Sequence, residues 1–174
     1  PYVTQIYFFR CDEPAIRDRQ PAALGHLIFL LSGRGTLKFQ NGDIVEVADA
    51  TVFGPGLAAA EFDFEGPLYD LGFALSPLGF VALTGKAANL YADRAVPASE
   101  LFGPQVDQLA EEFSTGHRQG TMRVAEMVEK ATALLLSQVR PVPPSHMHMV
   151  HTVINWLSSD LEPNVEKLYP MLDM

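Results

Sequence analysis

The sequence predicts a mainly β fold followed by α: a small antiparallel barrel or jelly roll, then a pair of amphipathic helices, then a helical stub. Three observations carry this. Apolar and polar residues alternate from Tyr2 to Leu75 with Gly and Pro between the runs; the period lengthens at Ser76-Pro77; and a proline-rich break falls between Arg140 and Ser145.

Tyr2 to Arg10 reads as a strand because aromatic and β-branched residues dominate it, and Cys11 to Gln20, with Pro14, reads as a polar connector. Leu24 to Pro55 is the stretch around which the other strands are organised. Its apolar runs are interrupted at Ser32-Gly33-Arg34-Gly35 and at Asn41-Gly42-Asp43, both read as hairpin turns. Leu37 and Phe39, then Val45 and Val47, alternate with polar neighbours, so one face packs and the other meets water. After Pro55-Gly56 the alternation resumes from Ala60 to Glu65, turns at Gly66-Pro67, and continues from Leu68 to Leu75. Phe62 and Phe64 share a face in the first of these strands, and Tyr69, Leu71, Phe73 and Leu75 in the second. All are assigned to the interior. The count is roughly seven short strands before Ser76, and sheets this short hide their edges by closing on themselves.

Ser76 is placed to cap a helix with Pro77 at its first position, ending at Gly85. Asp93 to Phe102 is a connector. From Pro104, Val106, Leu109, Ala110 and Phe113 fall on one helical face up to Gly116; from Thr121 to Val139, Val124, Met127, Val128, Ala131, Leu134 and Leu135 do the same. The widened stripe at Val128, Ala131, Leu134 and Leu135 predicts a dimer seam, against the alternative that the helix is buried on its own domain. Beyond the prolines, Met149, Val150, Val153, Ile154 and Leu157 line a helix from His146 to Ser158; Asp160 to Asn164 is a turn, with Asn164 a cap for a further short helix. The expected regions are 1–75, 76–140 and 146–174, the last being the beginning of a longer unit, so that the chain reads as part of a larger protein.

Composition narrows the function classes. Of 174 residues, 48% are hydrophobic, which excludes a disordered chain, and 12 basic against 21 acidic residues give a formal charge of −9. That balance supplies no electrostatic footprint for a phosphate backbone. The single Cys11 has no partner for a disulfide within the chain, and no apolar run is long enough to span a bilayer, so a cytoplasmic location is expected.

The segments Gly72 to Phe80, Leu83-Thr84-Gly85, Asp93 to Pro97 and Leu101-Phe102-Gly103 resemble the stretch that follows the sensor barrel in transcription regulators of the AraC type. Ile154 to Leu157, Leu168 and Leu172-Asp173-Met174 resemble the opening of that family's DNA-binding domain. The resemblance implies a cupin-like sensing and dimerisation domain, a helical linker and the start of a helix-turn-helix domain in a bacterial homodimer. It implies that DNA is read only by residues beyond Met174. Pro170 departs from the pattern, since proline inside a helix ends or distorts it.

Candidate ligand-contacting residues are His26, Phe39, Phe62, Phe64, Tyr69 and Phe73, a greasy lining suited to an apolar or aromatic small molecule. Glu46 is a weaker choice because alternation sends it outward. The competing reading is that these aromatics fill the core. No catalytic residue, cofactor or metal site is assigned. His26 stands alone among the strands, and His146 and His148 at a two-residue spacing diverge on a helix, leaving only His148 and His151 near each other. Gly33-Arg34-Gly35 lies between strands and precedes no helix, so it is not a phosphate cradle. A stand-alone cupin-type isomerase or dioxygenase, and a structural dimerisation module without a ligand, are the alternative functions.

Overall fold

The computed structural model describes residues 1–159 and 165–172. The turn expected at 160–164, the cap at Asn164 and the terminal Asp173-Met174 lie outside the described residues. The chain forms two compact units, Pro1–Arg140 and Pro141–Met174.

The first unit is built on a seven-stranded antiparallel sheet followed by helices, as the alternation and its break at Ser76 require. Its strands are β1 (Val3–Cys11), β2 (Ala15–Gln20), β3 (Gly25–Lys38), β4 (Ile44–Glu46), β5 (Ala50–Phe53), β6 (Ala60–Leu75) and β7 (Ala95–Pro97). The hydrogen-bonded order is β1-β6-β3-β5-β7, with β2 also on β6 and β4 also on β3. Strands β1 and β7 end this path without pairing to each other, so the sheet curls but does not close into the expected barrel.

The reason lies at two positions read from the sequence as turns. Ser32 to Gly35 is not a hairpin; it lies inside the 14-residue β3, and Gly66-Pro67 lies inside the 16-residue β6. These irregularities face one another: the β3–β6 register slips between Leu30 and Ser32 and again between Ser32 and Arg34, then resumes as Arg34 opposite Glu65. Gly33 sits at φ +93°, where a side chain is strained, and a Cβ there would press on the carbonyls of Glu65 and Pro67. Bulges bend and twist a strand pair. Here they fold its distal half, with β2 and β4, over one face. The segment expected as a connector before Gln20 supplies β2, and the connector after Asp93 supplies β7 and a short helix.

Asn41-Gly42-Asp43 does turn the chain. The Asp43 N–H donates to Asn41 Oδ1 at 2.9 Å and the Gly42 N–H to the Phe39 carbonyl at 3.0 Å, after which β4 pairs back on β3.

The other face of the sheet is covered by α1 (Pro77–Thr84), α2 (Ser99–Phe102), α3 (Gln105–Gln119) and α4 (Val124–Gln138). Ser76 caps α1 by accepting the Gly79 N–H at 2.9 Å, Pro77 opens it and Gly85 ends it, as read from the sequence. Arg140 closes the unit: its N–H donates to the Ala82 carbonyl at 2.8 Å and its guanidinium to the Thr84 carbonyl at 2.6 Å, a cation at a helix C-terminus. The core between sheet and helices holds Leu27, Phe29, Leu71 and Phe73, none of them exposed, against Phe80, Phe113 and Met127. Phe29 meets Phe73 and Phe113 edge to face, with centroids 6.2 and 5.1 Å apart.

Helix α4 spends its stripe on this same core. Ala131 and Leu135, expected at a dimer seam, are buried within the chain, and Val128 and Leu134 pack half-buried against the same cluster. Leu136, 68% exposed, is what α4 leaves outside.

In the second unit, α5 (Pro144–Ser159) is followed by short 3-10 turns at Val165–Lys167 and Tyr169–Leu172. Met149, Ile154 and Leu157 are exposed on α5. Pro170 falls in the second of these turns, not in an α-helix.

The placement of α4 separates two adjacent leucines. Leu135→Ala opens a cavity in the core and is expected to lower stability by about 2–5 kcal/mol, whereas Leu136→Ala, which leaves the chain's own core intact, is expected to cost less. Urea unfolding of the two variants checks this, and equal losses would contradict the packing.

Candidate ligand cavity

The bend in β3 and β6 encloses a cavity of about 330 Å³ on the concave face of the sheet. That volume lies at the low end of the range for small-molecule sites. Its walls come from β1, β2, β3, β5 and β6, and they are mostly apolar: Ile28, Leu30 and Leu37 from β3, Phe53 from β5, and Phe62, Phe64 and Leu68 from β6. Tyr7 and Phe9 of β1 and Gln20 of β2 with the following Pro21 complete it.

Which residues face inward follows from parity along β6. Because β6 is continuous, Phe62 and Phe64 share a face with Leu68 and Asp70, while Tyr69, Leu71, Phe73 and Leu75 point the opposite way. Reading Gly66-Pro67 as a turn puts both sets inside. Of the six residues expected around a ligand, Phe62 and Phe64 line the cavity, whereas Phe73 is wholly buried on the helix side. Tyr69 is on that side too. Its ring stands 5.2 Å from that of His117 on α3, its hydroxyl donates to Asp12 Oδ1, and Arg10 lies 5.6 Å from its centroid. Phe39 and His26 are on the concave face but border a much smaller void of about 30 Å³ beside it.

The parity that removes Tyr69 brings in Asp70, which alternation along β6 places on the face opposite Tyr69. Asp70 is 8% exposed, its Oδ1 has no hydrogen-bond partner among the described residues, and its neighbours in register are Phe9 and Leu30. Burial pushes its carboxyl up to about 7, with no basic side chain acting on it in the opposite sense. Arg19 borders the cavity as well, but its guanidinium turns outward to Glu61, with Nη2 2.9 Å from Oε1.

Two further groups share this face. The Tyr7 ring lies over Gly72, its partner across β1 and β6; a Cβ at position 72 would overlap the ring. Burial first, and the Asp70 charge second, push the Tyr7 phenol upward, so it stays protonated. His26 stands edge to face with Tyr7 at 6.0 Å, and its Nδ1 is buried without a partner among the described residues. Burial lowers its pKa, with a hydrogen bond to the Leu24 backbone pulling the other way, so the imidazole is held neutral. Asp70 and Tyr7 thus place polar groups in the wall of an aromatic pocket, with His26 next to Tyr7 outside it. From the sequence, the signal was an acidic residue at an inward parity, legible only once β6 is taken as unbroken.

Among the described residues there is no group of three or more His, Cys, Asp or Glu side chains placed to hold a metal ion, and no helix is long and apolar enough to cross a membrane. No protein-family model and no curated protein matches the chain. Among solved structures, the crystal structure of the AraC-like transcriptional activator CuxR is similar, at 15% identity and a TM-score of 0.46. The likeness covers 97% of this chain and 66% of that one, so the chain spans just under two thirds of that protein's length.

Burying Asp70 sets the sign of a pH effect. Its folded-state value of about 7 lies above the ordinary 3.8, so between these the native state keeps a proton that the unfolded chain has lost. Its contribution to stability is therefore most favourable below pH 4 and declines as pH rises to about 7, a cost on the order of a few kcal/mol. Asp70→Asn is expected to raise the melting temperature at pH 8 and to leave it nearly unchanged near pH 4. Calorimetry at the two values checks this; a variant less stable than wild type at pH 8 would contradict it.

Proposed function

We propose that the chain is the regulatory part of a DNA-binding transcription regulator of the AraC type, with the cavity on the concave face of the sheet as its small-molecule site. The observation that carries the sensing role is a cavity of about 330 Å³ lined by aromatic rings, with a buried carboxyl in its wall whose Oδ1 has no partner among the described residues. A core filled only for packing would not keep an unpaired acid there, because a buried polar group without a partner costs free energy. The order of sheet, helices and a further helical unit supports the wider reading, together with the resemblance to that family of Gly72 to Phe80, Leu83 to Gly85, Asp93 to Pro97, Leu101 to Gly103 and Ile154 to Leu157.

In this reading the cavity and the helices are coupled through the sheet that separates them. Strands β3 and β6 send Ile28, Leu30, Leu68 and Asp70 to the cavity and Leu27, Phe29, Leu71 and Phe73 to the helix core. A ligand that prefers one curvature of these strands biases the packing of α1 to α4, and through it the presentation of the DNA-binding domain. The residues that read bases lie beyond Met174, and the protein acts in the cytoplasm without catalysing a reaction. A homodimer completes the proposal, with Leu136 at its seam because α4 leaves that side chain exposed next to the buried Leu135.

The test uses the longer protein that carries a complete helix-turn-helix domain. It is expected to bind duplex DNA with an affinity that falls steeply with salt, while the present chain, at a formal charge of −9, shows no salt-dependent association. A ligand of the cavity is expected to change that affinity by roughly 5- to 150-fold. Specific DNA binding by the present chain alone would overturn the assignment of DNA reading to residues beyond Met174. For the dimer, Leu136→Glu is expected to convert a dimer to a folded monomer in light scattering; an unchanged mass removes α4 from the seam.

A further inference from the structure

The cavity holds one acidic group and no basic one turned inward. Asp70 is more than nine-tenths buried, its Oδ1 accepts nothing from the protein among the described residues, and the nearest cation on the wall, Arg19, is committed to Glu61 on the outer surface. Phe9 lies opposite it across β1 and β6, and the rings of Tyr7, Phe62 and Phe64 line the same cavity. An anionic ligand would meet like charge at Asp70, and a wholly apolar one would leave Oδ1 unpaired in an environment that exacts a high cost for that. A carboxylate within a box of aromatic faces matches an ammonium group on both counts, because the carboxylate accepts its N–H and the ring faces attract its charge.

We propose that the cavity takes a small organic cation, a primary amine with an aryl or alkyl body, whose ammonium donates to the Asp70 carboxylate while its body lies against Phe62 and Phe64. The proposal rests on the reading of the cavity as a ligand site and assigns that site's ligand class. It adds a charge to the sequence-based expectation of an apolar or aromatic small molecule, which overlooked Asp70.

The groups facing Asp70 keep the site's pH dependence simple. Tyr7 of β1 remains a neutral phenol, His26 of β3 is held neutral by burial, Gln20 of β2 carries no charge and the Arg19 guanidinium faces away. Asp70 is then the group that titrates near neutrality, so amine binding strengthens as pH rises through about 7.

The experiment records methyl spectra of Leu30, Leu37, Val47 and Leu68 while titrating the whole chain with 2-phenylethylamine, n-hexylamine, 2-phenylethanol or phenylacetate. The expected result is that both amines shift these methyls at pH 8, bind at least about tenfold more tightly than the alcohol or the acid, and weaken about tenfold per pH unit below 7. Asp70→Asn, which keeps the side-chain shape and removes the buried charge, is expected to abolish the preference while still admitting the alcohol. If the alcohol or the acid binds as tightly as the amines, or if Asp70→Asn binds amines like wild type, the cation proposal is overturned and the ligand cavity stands. If none of the four compounds shifts the cavity methyls at millimolar concentration, both the cavity as a ligand site and the cation proposal are overturned.

Discussion

The first unit depends on the pairing of β3 with β6. These are its longest strands, adjacent over almost their whole length, and every other strand except β7 hydrogen-bonds to one or both of them. A β-strand presents alternate residues to opposite faces, so a long continuous strand commits its whole sequence to two surfaces at once. From Leu68 to Leu75 both surfaces are mostly apolar: one faces a cavity and the other is the floor on which the helices pack. The register slips opposite Gly66-Pro67 allow the pair to bend without breaking that commitment on β6, where Phe62, Phe64, Leu68 and Asp70 keep one parity throughout. On β3 the same slips change the inward set from Ile28 and Leu30 to Leu37 and Phe39. Bulges therefore do two things, curling the sheet over its own face and re-aiming the distal residues into it.

The helical layer is the counterpart of this two-sided sheet. Phe29 and Phe73 are neighbours on its convex face, and Phe113 of α3 closes against Phe29, so the aromatic contact at the centre of the unit spans sheet and helix. Helix α4 adds Met127, Ala131 and Leu135 at helical spacing to the same cluster. The stripe that reads as surplus in the sequence is needed by the domain's own interior. Arg140 holds the end of the unit to the C-terminus of α1, where its charge complements the helix dipole and its backbone completes a hydrogen bond.

Asp70 is the place where the fold accepts a cost. Surface ion pairs such as Arg17 with Asp63 and Arg19 with Glu61 decorate the outer face of the curl and contribute little, being exposed. The buried acid instead sits among rings with one oxygen unpaired. Departures of this kind concentrate at functional sites because selection tolerates them there.

Much of this was determined by the sequence alone. Period and turn chemistry are local, so the mainly β then α class, the cap at Ser76-Pro77, the end of α1 at Gly85, the hairpin at Asn41-Gly42 and the inward aromatics Phe62 and Phe64 were legible from residues within a few positions of each other. Whether Gly and Pro end a strand or bend it was not, because Ser32 to Gly35 and Gly66-Pro67 are turn-like in isolation and become bulges only when each finds the other across the sheet. That pairing joins residues more than 30 positions apart, as Arg34 to Glu65 shows. Tertiary structure alone therefore decided that the sheet stays open, that Tyr69 and Phe73 face the helices, that Leu135 is interior, and that Asp70 lines the cavity. The physical reason is parity: one misplaced break reverses the face of every residue beyond it.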